Sequence, residues 1–157
     1  MQNSPNKLIP ASTVLAVRDR NDGIEVFMVV RHHQIDFASG ALVFPGGKVD
    51  KNDLNSKIRD HIISEQNLSD EELSYRIAAI RECYEEGNVL FACDENNSEI
   101  LSDGKLAKLT TWREKFNNRQ GSMYEFAVRE KLKFTVDNLI PFAHWITPEM
   151  MPKRFNT

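Results

Sequence analysis

The sequence predicts an α/β fold with helices covering both faces of a sheet, on three observations. The run Ile24-Glu25-Val26-Phe27-Met28-Val29-Val30-Arg31 is almost continuously apolar, the pattern of a strand buried on both sides. Ser69-Asp70-Glu71-Glu72 is a capping box, and Leu73, Ile77, Ile80, Cys83 and Tyr84 follow it along one helical side. Helical spacing returns at Leu106, Leu109, Trp112 and Phe116, and again at Tyr124, Ala127, Val128 and Leu132.

The remaining elements follow from local chemistry. Leu8 to Val17 is rich in β-branched and apolar residues and reads as a strand, with Pro10 near its start. Asn21-Asp22-Gly23 is a turn signal between this strand and the next. Ala41 to Phe44 is a short strand entering Pro45-Gly46-Gly47, and Lys51 to Leu68 is a spacer. The spacer's apolar residues Leu54, Ile58, Ile62 and Ile63 keep helical intervals, which predicts a short packed helix. Asn88 to Ala92 reads as a strand. Ser122 to Glu125 is a second capping box, so the segment from Leu101 to Leu132 forms a helical hairpin. Trp112 and Tyr124 are expected in the core of that hairpin rather than stacked on a base. Leu139 to Ile146 reads as a strand that holds Pro141 only at an edge or near its start.

Bulk properties exclude several functional classes. The 157 residues fit one domain, 1–157, with 41% hydrophobic and 27% charged residues. A net charge of −3 argues against a nucleic-acid backbone footprint. No apolar run approaches the length of a membrane span, and the first ten residues lack a signal-peptide core. Cys83 and Cys93 form no disulfide framework, which predicts reduced thiols and a cytoplasmic location.

Chemistry concentrates between Ala41 and Leu90. Glu82, Glu85 and Glu86 lie within about one hundred degrees of arc on a helix, opposite its apolar side. Like charges at this spacing repel, so the cluster calls for a counter-charge. A hard divalent cation, Mg²⁺ or Mn²⁺, is one answer and a solvated acidic face is the other. Ala78 and Ala79, one turn earlier, would leave room above a metal. Pro45-Gly46-Gly47 admits positive φ and close approach of a ligand, and the Gly47 carbonyl is a further oxygen for a hard metal. Arg31 at a strand end could contact a substrate phosphate; His32 and His33 beside it could bind metal, but without a clustered third ligand they read as solvated loop.

Gly47, Asp53 and Arg81-Glu82-Cys83-Tyr84-Glu85-Glu86-Gly87-Asn88-Val89 resemble the box of the Nudix hydrolases: G, five residues, E, seven residues, R-E-U-x-E-E-x-G-U, where U is bulky and apolar. Asp53 stands at the first Glu, 27 residues instead of seven separate it from Arg81, and Asn88 stands at the closing Gly. Asn tolerates left-handed φ better than most residues, so the helix exit is expected to survive. The spacer and FPGGKVD resemble a narrower branch that includes coenzyme A diphosphatases. The resemblance implies an α/β/α sandwich around a mixed sheet and metal-dependent hydrolysis of a nucleoside diphosphate linked to another moiety. A nucleotide-binding domain that does not cleave is the alternative.

It further implies Gly47, Glu82, Glu85 and Glu86 as ligands of Mg²⁺ or Mn²⁺, with one glutamate also serving as base and Arg81 as an orienting ion-pair partner. Arg31, Gly46, Gly47 and Asp53 would meet a small-molecule nucleotide-type substrate. Bases outside the box remain open among His32, His33, Glu125 and Glu149. The hairpin is expected to shape substrate choice. By the same resemblance the chain is expected to lack a closing strand and helix, so that a second copy covers the edge as a homodimer or the chain is a fragment.

Overall fold

A computed structural model describes residues 7–30, 40–96, 98 and 101–157. The chain forms β1 (Leu8–Thr13), β2 (Val17–Arg20), β3 (Gly23–Val26), β4 (Val29–Val30), β5 (Leu42–Val43), β6 (Gly46–Lys48) and β7 (Ile62–Ile63) before helix α1 (Asp70–Gly87). Strand β8 (Ala92–Asp94), helices α2 (Asp103–Lys108), α3 (Thr110–Asn117) and α4 (Met123–Glu130), and strands β9 (Leu132–Thr135) and β10 (Arg154–Asn156) follow. Parallel and antiparallel pairings coexist. β1 runs parallel to β10 and antiparallel to β6, where Ser12 faces Gly47; β9 runs parallel to β7 and antiparallel to β8.

Helix α1 holds these layers together. Ser69 caps it as the sequence predicts: its Oγ accepts the Glu72 N–H at 3.2 Å, and Glu72 Oε2 accepts the Ser69 N–H at 2.9 Å. One side of the helix, with Leu73, Ile77, Ile80 and Tyr84, packs on α3, α4 and β9. There Tyr84 stacks on Phe126 with ring centroids 5.5 Å apart, and Trp112 lies 5.0 Å from the same ring. Trp112 is a core residue, and its indole N–H donates to Glu130 at 2.7 Å. The other side, with Ala79 and Cys83, packs on Val14 and Val89. Ala78 and Ala79 are therefore buried contacts and leave no space above the carboxylates, contrary to the expectation from their size.

Other expectations are corrected as well. The Ile24–Arg31 strand buried on both faces is not formed. Among the described residues β3 pairs only with β2, across the Asn21-Asp22 turn, and Ile24 is 69% exposed. The run breaks at Phe27, whose ring packs where a Cβ on Gly87 would sit, at the end of α1. The Leu8–Val17 strand ends at Thr13. The spacer is not one helix: Asp50 and Asn55 accept backbone N–H groups of Asn52 and Lys57 and divide it into two 3₁₀ turns. Of Leu54, Ile58, Ile62 and Ile63 only Ile58 is buried, and Leu54 is exposed. Asp137 then ties the end of the spacer to β9, accepting from the Ser64 hydroxyl at 2.6 Å and the Glu65 N–H at 2.7 Å. The strand expected over 88–92 begins only at Ala92. Leu139–Ile146 is not a strand; Pro141 lacks a donor, Ile140 and Phe142 are over 80% exposed (83% and 82%), and only Ile146 bridges, to Asn156.

Two substitutions test how α1 is held. Ser69→Ala should cost about 1 kcal/mol by freeing a first-turn donor. Tyr84→Phe removes a buried hydroxyl that donates to the Leu109 carbonyl at 2.7 Å, and should cost about 1 kcal/mol. Urea melts should show lower midpoints with an unchanged m-value; a wild-type midpoint in either variant would remove that contact from the account.

Candidate active site

The acidic residues of α1 turn toward β6 and the 3₁₀ turn of Lys51–Leu54, and Arg81 organises them. Its Nε and Nη2 donate to the two oxygens of Asp53 at 3.0 and 2.9 Å. Its Nη1 donates to Glu82 Oε1 at 2.8 Å and Glu85 Oε1 at 2.9 Å, and Nη2 also reaches the Lys48 carbonyl at 2.8 Å. The counter-charge that the carboxylates require is thus supplied inside the helix. The Asp53 side chain is 1% exposed and those of Arg81, Glu82 and Glu85 are 12–14% exposed, so these pairs are shielded from solvent.

The electrostatics follow from that shielding. Burial pushes the carboxyls of Asp53, Glu82 and Glu85 above the usual carboxylate range, against the opposing pull of Arg81. Burial also disfavours charge on Arg81, but the hydrogen bonds and charge of Asp53, with Glu82 and Glu85, reverse this and raise its pKa. Burial pushes the Cys83 thiol up to about 11, which removes it as a nucleophile.

The glycines serve proximity rather than a turn. Gly46 and Gly47 are strand residues of β6 and are not among the glycines of positive φ. A Cβ on Gly47 would collide with the Glu82 carboxylate, and the Gly46 N–H donates to Glu86 Oε2 at 3.0 Å. Asn88 takes φ 56° and ψ 24°, and its N–H caps carbonyls of Cys83 and Tyr84, so the left-handed helix exit is retained without glycine.

The structure therefore brings Gly46, Gly47, Asp53, Arg81, Glu82, Glu85 and Glu86 together. Arg31, with His32 and His33, lies outside the described residues. Glu125 pairs with Arg129 at 2.8 Å, and Glu149 is exposed. Sequence reasoning missed Arg113 of α3, whose Nε donates to the Tyr84 carbonyl at 3.0 Å and whose Nη2 donates to the Glu85 carbonyl at 2.9 Å. The signal was the absence of any basic residue in the last turn of α1, which leaves the helix dipole and its carboxylates unopposed.

Among the described residues no three carboxylate, imidazole or thiol groups converge closely enough to hold a cation as they stand, because Arg81 draws Glu82 and Glu85 to itself. The donor chemistry nonetheless suits a hard divalent ion. It is all oxygen, partly buried, raised in pKa and packed against a residue without a side chain.

No family model matches the chain. It is 32% identical over 152 residues to nudix hydrolase 7 of Caenorhabditis elegans, an alignment covering 94% of this chain and 41% of the relative. It is 25% identical over 172 residues to the acyl-coenzyme A diphosphatase NUDT19 of Xenopus laevis, covering 85% of this chain and 45% of that one. The chain thus spans less than half the length of these relatives. Its fold is that of a Nudix hydrolase crystal structure from Alicyclobacillus acidocaldarius, with a TM-score of 0.67 at 24% identity over 96% of this chain and 67% of the other. By its sequence relatives, its fold and its box residues, the chain belongs to the Nudix hydrolase family.

Proposed function

We propose that this chain hydrolyses the pyrophosphate bond of a nucleoside diphosphate linked to another moiety, with Mg²⁺ or Mn²⁺ as cofactor. The observation that carries the reading is the Arg81-centred carboxylate network packed against Gly46 and Gly47. The name of one relative, an acyl-coenzyme A diphosphatase, supports a substrate of coenzyme A type, with nucleotide sugars as the second class.

In this reading Glu82, Glu85 and Glu86, with the Gly47 carbonyl, hold the ion. A divalent cation supplies Lewis acidity, making water a better nucleophile at neutral pH and screening the phosphoryl oxygens. Arg81 orients Glu82 and Glu85 and opposes the effect of burial on the Asp53 carboxyl, and Gly46 fixes Glu86 through its N–H. A second reading, nucleotide binding without cleavage, is favoured by one observation: Glu82 and Glu85 are held by Arg81 rather than gathered with a third ligand. Release of nucleoside monophosphate that requires added Mg²⁺ or Mn²⁺ decides for the first.

Glu85→Gln and Glu86→Gln remove charge but little volume, so melting should stay near wild type while kcat falls by about 10² or more. Wild-type turnover in both variants would reject these ligands. Arg81→Met should behave differently. It strands the buried Asp53 carboxylate and should cost about 3 kcal/mol in a urea melt.

The raised carboxyl pKa values also fix a pH dependence. The folded chain holds these protons more tightly than the unfolded chain, so ionising them lowers stability as pH rises through the folded pKa values. A cation competes with those protons. Thermal stabilisation by Mn²⁺ should therefore grow as pH rises from the acidic side toward neutrality, and a pH-independent shift would place the ion elsewhere.

A further inference from the structure

The last turn of α1 carries Glu85 and Glu86, and it is the part of the helix least able to hold itself. The final carbonyls of a helix have no donor from a following turn. Here the shortage is sharpened by the left-handed exit at Asn88, which turns the Val89 N–H back to the Cys83 carbonyl at 3.4 Å. The Glu85 carbonyl thereby loses the donor four residues ahead of it. No basic residue of α1 lies in that turn to replace it.

Arg113 of α3 takes the vacant role. Its Nη2 donates to the Glu85 carbonyl at 2.9 Å. Its Nε is shared between the Tyr84 carbonyl at 3.0 Å and the Glu85 carbonyl at 3.3 Å. The guanidinium fork thus spans two consecutive carbonyls, which a lysine ammonium on its flexible stem does not reproduce. The base of the fork is firm, since Trp112 and Phe116 of the same helix are buried in the core. The Tyr84 hydroxyl, donating to the Leu109 carbonyl one turn before Arg113, fastens the same residue of α1 a second time. Glu85 is consequently held at both ends, its carboxylate by Arg81 and its carbonyl by Arg113. Glu86 is held to β6 through the Gly46 N–H.

We infer that Arg113 is a positioning residue of the site. It fixes the main chain of the last turn of α1, and through it the placement of the Glu85 and Glu86 carboxylates against the Gly47 carbonyl. This rests on the reading that those groups hold a divalent ion. It gives the helical hairpin a part in catalysis beside the part in substrate choice that its sequence suggests. A displacement of about 1 Å far from the chemistry costs on the order of a hundredfold in rate, so a small shift of this turn is measurable.

The test places Arg113→Met in an Asn88→Gly background, which offsets the stability lost with the arginine. Asn88 has φ 56°, and its Oδ1 is buried with no hydrogen-bond partner among the described residues; glycine removes both costs. Mn²⁺ affinity is read from the electron paramagnetic resonance signal of free Mn²⁺, which requires no turnover. The double variant should bind Mn²⁺ about tenfold more weakly than Asn88→Gly alone, and lose about tenfold in kcat on coenzyme A with KM unchanged. Arg113→Lys in the same background should recover the melting temperature, through its charge at the helix end, and not the affinity. Unchanged Mn²⁺ affinity in the Arg113→Met double variant, or its full recovery by lysine, overturns the inference and leaves the reaction standing. A rise in KM at constant kcat and constant Mn²⁺ affinity also overturns it, and would assign Arg113 to substrate binding. Weaker Mn²⁺ binding in the double variant, where the wild-type chain cleaves neither coenzyme A nor a nucleotide sugar, supports the inference and overturns the reaction.

Discussion

Three carboxylates withdrawn from water around one guanidinium set the terms for this protein. An exposed ion pair contributes little, but a shielded one becomes costly once a partner is missing. Arg81 satisfies Asp53 from the spacer and Glu82 and Glu85 from its own helix, and it also binds the Lys48 carbonyl of β6. One side chain thereby fixes the spacer, the strand and the helix relative to one another. The long spacer does not disrupt the box. It returns Asp53 to the guanidinium through a 3₁₀ turn that Asp53 itself caps, accepting the Asp50 N–H at 2.7 Å.

The helix bearing these acids is placed between two packed layers, so its register cannot shift without disturbing both. Its site carboxylates Glu82, Glu85 and Glu86 lie toward its C-terminal end, where the dipole opposes negative charge. The helical hairpin supplies the remedy. Arg113 donates to carbonyls of the last turn, and the Tyr84 hydroxyl joins that turn to Leu109. The hairpin thus braces the carboxylates from behind.

Short-range chemistry was legible along the chain. The capping box at Ser69, the N-cap at Ser122, the side of α1 that packs, the left-handed exit at Asn88 and the grouping of Glu82, Glu85 and Glu86 all depend on residues close to one another in the chain. The reciprocal half of a box at Ser122 is not formed, because Glu125 pairs with Arg129. The α/β class follows from the same local periods. What periodicity misjudged was burial. Ile24 to Arg31 and Leu139 to Ile146 have the composition of strands in a sheet interior, yet Ile24 and Phe142 stand exposed. Composition records what a segment can bury and not whether a partner layer meets it.

Tertiary structure alone decided the partners across long intervals. Asp53 meets Arg81 across 28 positions, Gly46 meets Glu86 across 40, and Arg113 reaches back 28 to Glu85. The sequence by itself determined that three carboxylates share a helical side beside a glycine pair, because α-helical geometry is the same in every chain. The fold decided that an arginine neutralises two of them, that Ala78 and Ala79 are buried, and that Arg113 caps the last turn of α1. Each of these depends on the packing of separate elements, and no local period encodes that.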